Sequence, residues 1–259
     1  TVFSSVIMGQ FTFRLGLPPA VAVACGLAIG TLIGFVNGWL VARIKLPPFI
    51  VTLGMWQIAL ASNFLYSGNE TIRAQDIEAS APLLQFFGQS ISVGGAVFTY
   101  GVIFFILLVL VLAYVLRHTA WGRHVYAVGD DPEAAELSGV NTKRILISVY
   151  ALSGLICAFA GWALIGRIGS VSPTSGQFSN IESITAVVIG GTLLTGGMGF
   201  VMGTFFGGII MGVIQTLIAF DGSLNSWWTK IMIGALLFGF IVLQRLITRS
   251  FSGMRAGAT

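Results

Sequence analysis

The chain has 259 residues, of which 56% are hydrophobic and 8% charged, with a formal net charge of +4. An ordinary soluble domain carries roughly 25% charged residues, so this composition, with its mean hydropathy of +0.93, excludes a soluble globular enzyme and requires a solvent that accepts apolar side chains. The basic excess does not mark a nucleic-acid binder, because Lys and Arg are spread between apolar runs and not gathered in one patch.

A helix that crosses the hydrocarbon core needs about 20 apolar residues. In chain order the apolar runs predict a partial span over 1–13, then spans near 19–42, 47–66, 94–116 and 145–168. A longer apolar region from Ile181 to Phe220 is interrupted by Thr195-Gly196-Gly197-Met198-Gly199, which divides it into a short span near 181–194 and a longer one near 199–220. The last span lies near 228–247. The expected fold is all-α, a polytopic transmembrane helix bundle of about eight spans forming one domain over 1–259. Thr1 falls inside an apolar run with no initiator Met or basic leader, so a preceding segment is expected. Cys25 and Cys157 each lie in an apolar run and read as small buried hydrophobes, not as a disulfide or metal site.

The charges orient the bundle. Arg43, Lys45, Arg117, Arg123, Lys143, Arg144, Arg245, Arg249 and Arg255 fall on one side when the spans alternate. Arg14, Arg73, Arg167 and Lys230 fall on the other. The positive-inside rule makes the first side cytoplasmic, with the loop 117–144 and the C-terminus inside and the loop 67–93 outside. A re-entrant 181–194 would reverse the C-terminal arginines, so a short true crossing is expected. Gly26, Gly30, Gly34 and Gly38 recur every four residues, as do Gly199, Gly203 and Gly207, with Gly208 and Gly212 as a further pair. Such faces predict close helix packing in lipid.

No phosphate-binding loop, zinc signature or catalytic triad is present, so the chain is expected to be a non-catalytic subunit with no cofactor of its own. The span interiors hold essentially no ionisable residue, which disfavours an ion-coupled secondary carrier, the alternative reading. Neutral polar groups inside spans, Asn37, Trp56, Gln57, Asn63 and Gln215, are the candidates for lining a path for an uncharged solute. Interhelical hydrogen bonding is the competing role for each.

The loop 117–144 is the most informative segment. Asp130 or Asp131 is placed to cap a helix whose first position is Pro132, with Glu133 in the first turn and Gly139 at the end. The expected product is a short cytoplasmic helix made of Asp131, Pro132, Glu133, Ala134, Ala135, Glu136, Leu137, Ser138 and Gly139, with small Ala134 and Ala135 suited to close approach.

The stretch from Gly122 to Gly139, ending Leu137-Ser138-Gly139-Val140, resembles the coupling loop of ABC importer permeases of the ribose-type branch. Lys45-Leu46-Pro47-Pro48-Phe49-Ile50-Val51-Thr52-Leu53-Gly54-Met55 and Val187-Val188-Ile189-Gly190-Gly191-Thr192 resemble that branch as well. Residues 1–190 are most similar to fructose-importer permeases. From about 191 onward, notably from Phe220 to Lys230, the chain looks more like the galactofuranose-importer permease. The resemblance implies a sugar-import permease of the bacterial inner membrane with about ten spans in the family, two of them preceding this chain. It also implies a cytoplasmic ATPase partner that binds ATP and magnesium, a periplasmic sugar-binding protein, and a second permease copy or a related permease in the pore. On this resemblance Asp131 to Gly139 is the coupling helix.

Overall fold

A computed structural model of the chain describes residues 1–177, 179–193, 196–221 and 227–256. Thr195, residues 222–226 of the stretch ending at Lys230, and the side chains of Arg245, Arg249 and Arg255 lie outside the described residues. The chain divides into two compact units, residues 1–108 with 133–177 and residues 109–132 with 178–259.

The first unit opens with α1 (Val2–Phe13) and α2 (Pro19–Trp39), which runs on into a π turn at Leu40–Ile44. Next comes α3 (Pro48–Ser67). Pro19 and Pro48 occupy first helical positions, where a missing N–H costs nothing. The π turn is closed by Lys45 at φ 60°, a rare non-glycine left-handed residue, and Pro47 follows. The segment 67–93, expected as an external loop, is folded. It holds α4 (Ala74–Ser80), a 3-10 segment (Pro82–Gly88) and β1 (Ser90–Val93). β1 pairs antiparallel with β2 (Ala96–Thr99) in the register Ser90↔Thr99. Gly94 and Gly95 at φ 59° and 88° make its two-residue turn. The span predicted at 94–116 therefore starts later, as α5 (Tyr100–His118).

α8 (Thr142–Ile168) is the central column of this unit. Ile165 and Val171 join Val6, Met8, Val23, Ile77, Ala81 and Leu84 in its apolar core. The 3-10 segment lies along the last turns of α8: Trp162 Nε1 donates to the Leu83 carbonyl at 3.1 Å, and Gln85 Nε2 donates to the Gly169 carbonyl at 3.0 Å. These bonds supply partners for carbonyls that no regular ladder satisfies. α2 and α8 approach backbone to backbone. A Cβ on Gly30 would sit 2.6 Å from the Ala158 Cβ, and one on Gly38 would sit 2.9 Å from the Ile147 Cα.

The second unit contains the end of α5, α6 (Ala120–Asp130), α9 (Ser179–Ile189), α10 (Val201–Asp221) and α11 (Trp227–Ala256). α9 and α10 form a tight antiparallel pair. A Cβ on Gly203 would fall on the Gly190 carbonyl, one on Gly207 on the Ala186 carbonyl, and one on Gly199 would lie 2.8 Å from the Thr192 methyl. Gly208 and Gly212, expected to extend this packing, face open space instead. At 11 residues α9 is about 16 Å long, roughly half of a hydrocarbon core of about 30 Å.

Among the described residues five helices, over 19–44, 48–67, 100–118, 142–168 and 201–220, are long and apolar enough to cross a membrane. Val2–Phe13, Ser179–Ile189 and Trp227–Leu243 are shorter apolar helices at the remaining expected positions.

Candidate functional site

The loop 117–144 folds as two helices where the sequence suggested one. α6 occupies Ala120–Asp130, and α7 covers Pro132–Leu137. Thr119 caps α6 by accepting from the Gly122 N–H at 3.1 Å. Gly122 is required there because a Cβ would collide with the Leu116 backbone at the bend between α5 and α6. The signal for α6 is present in the sequence: Trp121, Val125 and Val128 repeat at helical spacing, with Arg123 and His124 between them.

α7 begins at Pro132, as expected, with Asp131 in extended backbone before it and Glu133 in its first turn. Gly139 follows at φ 85°. Its N–H donates to the Glu136 carbonyl at 3.0 Å, and the Val140 N–H donates to the Ala135 carbonyl at 3.1 Å. This is the left-handed glycine ending that satisfies the last carbonyls of a helix. The two alanines differ in position. Ala134 is exposed, whereas Ala135 is 5% exposed and packs inside the chain. The small size of Ala135 thus serves internal packing, not close approach from outside. Leu137 is 91% exposed, and Glu136 and Ser138 are exposed beside it. A cleft of about 280 Å³ lies between α7 and the start of α8, lined by Glu136, Gly139, Asn141 and Lys143.

Within the second unit, the turn between α9 and α10 rests on the end of α6. Gly191, Gly196 and Gly197 all have left-handed φ. A Cβ on Gly196 would lie 2.9 Å from the Gly129 carbonyl, and one on Gly197 would lie 3.1 Å from the Asp130 Cα. Tyr126 Oη donates to the Gly199 carbonyl at 2.8 Å. α6 therefore ties this helical pair to the residues that immediately precede α7. Glycine spacing alone does not reveal that link, because both partners are backbone.

Of the path candidates, Asn37, Trp56, Gln57 and Asn63 belong to the first unit and Gln215 to the second. Asn37 on α2 and Asn63 on α3 are packed within the first unit. Asn63 Nδ2 donates to the Pro173 carbonyl at 2.8 Å, while its Oδ1 and the Asn37 Oδ1 are buried without a partner among the described residues. Trp56 and Gln57 lie on the exposed part of α3, and Gln215 is half-buried on α10. α3 and α5 are both largely exposed, yet their compositions differ. Between Tyr100 and Tyr114, α5 presents Phe, Ile, Leu and Val, as lipid contact demands, whereas α3 interleaves Thr52, Gly54, Gln57 and Ser62. An exposed glutamine facing hydrocarbon is costly, so α3 is suited to a wet path or a protein neighbour. Among the described residues no group of three His, Cys, Asp or Glu side chains comes together as a metal site.

The family model described as "Branched-chain amino acid transport system / permease component" matches residues 1–241. The chain belongs to this permease family. The permease is 66% identical over 248 residues to the fructose import permease protein FrcC of Rhizobium meliloti, covering 96% of this chain and 69% of that protein. It is 38% identical over 252 residues to the inner membrane ABC transporter permease protein YjfF of Escherichia coli K12, covering 95% and 72%. It is 37% identical over 197 residues to the ribose import permease protein RbsC of the same strain, covering 75% and 60%. No solved structure matches it.

Proposed function

We propose that this permease is the membrane-spanning subunit of an ATP-driven sugar importer of the bacterial inner membrane. In this reading it forms a path for a monosaccharide delivered by a periplasmic binding protein. A separate cytoplasmic ATPase, which binds ATP and magnesium, docks on Asp131 to Gly139, and a second permease chain completes the pore. The observation that carries the reading is α7: a glycine-terminated helix between membrane helices, with Leu137 almost wholly exposed. The import-permease names of its relatives support the same class, and fructose is the first substrate to test. The deciding experiment reconstitutes the permease in proteoliposomes with its ATPase and binding protein. Sugar-dependent ATP hydrolysis and uptake should appear together and require all components. Uptake by the permease alone would support an ion-coupled carrier instead.

In the same proposal α6, α7 and the C-terminus are inside and 67–93 is outside, an orientation supported by the asymmetry of Lys and Arg. Ser80 and Ser138 are both exposed, so single cysteines there are accessible once Cys25 and Cys157 are replaced. On intact spheroplasts an impermeant thiol reagent should label Ser80→Cys and spare Ser138→Cys. The opposite pattern overturns the orientation.

The geometry also ranks the path residues. Trp56 and Gln57 are exposed and free to meet a sugar, whereas Asn63 is tied to Pro173. Gln57→Ala should raise the half-saturating sugar concentration for uptake by about fivefold or more, the loss of one neutral hydrogen bond of ~1 kcal/mol, with unchanged stability. Asn63→Ala should instead lower thermal stability. Unchanged uptake kinetics in both Trp56→Ala and Gln57→Ala would remove α3 from the path.

A further inference from the structure

A groove in the second unit has no role in the proposed function. It measures about 860 Å³ and lies where the end of α5, α6 and the start of α10 meet. α5 contributes Ala113 and Leu116, and α10 contributes Phe200, Val201 and Met202. The volume falls in the range of about 300–1,000 Å³ typical of small-molecule pockets. Phe200 and Tyr114 are strongly exposed along it, so its walls offer apolar surface to the surroundings.

One arginine completes the lining, and a second lies six residues further along the chain. Arg117 and His118 line the groove, with the His118 ring stacked on Tyr114 at 4.9 Å. Arg123 and His124 are exposed one turn into α6. Among the described residues no carboxylate lines the groove, and neither Arg117 nor Arg123 makes an ion pair. The acidic end of α6, at Asp130, is seven residues beyond Arg123, about 10 Å along the helix. α6 itself has the composition of an interfacial helix, with Trp121, Val125 and Val128 on one face, Arg123 on the opposite face and His124 at the flank. An apolar slot that opens at the level of unpaired arginines matches a molecule with a hydrocarbon tail and an anionic head.

We propose that this groove binds one anionic phospholipid of the cytoplasmic leaflet, an acyl chain lying against Ala113, Leu116, Phe200 and Met202 and the headgroup phosphate held by Arg117 with Arg123 nearby. The choice of leaflet rests on the orientation given above; the binding chemistry does not. Because Tyr126 Oη ties α6 to Gly199 across the same groove, an occupied groove braces the α6 contact with the turn between α9 and α10.

The test uses the purified full-length transporter complex in mild detergent, delipidated and titrated with phosphatidylglycerol or with phosphatidylcholine of the same chains. Retained lipid is counted by native mass spectrometry. Phosphatidylglycerol should bind about fivefold or more tightly at one site, the advantage expected of one cation. Arg117→Gln should reduce it to the phosphatidylcholine level, and Arg117→Lys should keep most of the preference. Ala113→Phe, which narrows the slot, should weaken both lipids. Excess glycerol phosphate, a headgroup without chains, should not displace the lipid. Equal binding of the two lipids, an indifferent Arg117→Gln, or displacement by glycerol phosphate each overturns the proposal, the last by reducing the site to an anion contact. Dissociation of the complex by Ala113→Phe with lipid retention intact would assign the groove to a subunit contact instead. Binding in detergent is indifferent to orientation, so an inverted thiol-labelling pattern at Ser80 and Ser138 would change the leaflet and leave the lipid result standing.

Discussion

Replacing Gly154 by leucine is expected to leave almost no folded permease. Gly154 sits on α8 where α2 crosses closest: a Cβ there would collide with the Gly30 carbonyl and lie 3.0 Å from the Gly34 Cα. The obstacle is backbone on both sides, so no rotamer change relieves it. Either α2 moves away, opening the contacts of Gly30 and Gly38 with Ala158 and Ile147, or the helix pair does not form. Overpacking a core costs about 1–3 kcal/mol when side chains can adjust. Here they cannot, and the effect should reach or exceed that upper end, against a total stability of only ~5–15 kcal/mol for ordinary folded proteins. In membranes such close contacts are a principal source of association, because lipid supplies no hydrophobic drive between helices. Size-exclusion of a fluorescent fusion should show the monodisperse peak of the wild type lost in Gly154→Leu. Gly208→Leu, at a glycine facing open space, should retain it. A normal peak for Gly154→Leu would show that α2 and α8 are not in backbone contact.

Leu137→Asp is expected to uncouple the transporter while leaving it folded. Leu137 is 91% exposed at the end of α7, so its loss removes no internal contact. As the most exposed apolar group on the proposed docking helix, it is the natural anchor for a pocket on the ATPase. A hot-spot anchor contributes about 2 kcal/mol or more to an interface, so sugar-stimulated ATP hydrolysis at limiting ATPase should fall about 30-fold. Glu136→Gln should stay within about fivefold, because exposed ion pairs contribute about 0–1 kcal/mol. Ala135→Trp is a poorer probe, since Ala135 is buried in the chain and a bulky group there should disrupt the fold first. The measurements are stimulated ATPase rate, co-purification of the ATPase, and thermal stability of the permease. Wild-type stimulation in a properly inserted Leu137→Asp complex would place the docking surface elsewhere.

The membrane class, the positions of the apolar helices and the limits of α7 were legible in the residues themselves. Each depends on local properties: apolar run length, the fixed φ of Pro132, and the freedom of Gly139 to turn left-handed. The glycine repeats likewise announced close packing, because their spacing keeps them on one helix face. Their partners were not legible. Gly30, Gly34 and Gly38 meet α8, and Gly203 and Gly207 meet the end of α9, while Gly208 and Gly212 meet nothing among the described residues. Identical spacing precedes all three outcomes, since what a glycine touches is decided by the helix across from it. The same holds for Ala134 and Ala135, adjacent and alike in sequence yet one exposed and one buried. The segment 67–93 shows the limit most clearly. Its short, mixed runs carry no strong period, and Ile77, Ala81 and Leu84 become core only because α1, α2 and α8 leave a surface for them to cover. Apolar pattern along the chain determined what enters the membrane, and only the arrangement of neighbouring backbones decided which small residues pack, which polar ones are tied down, and which face remains open to a partner.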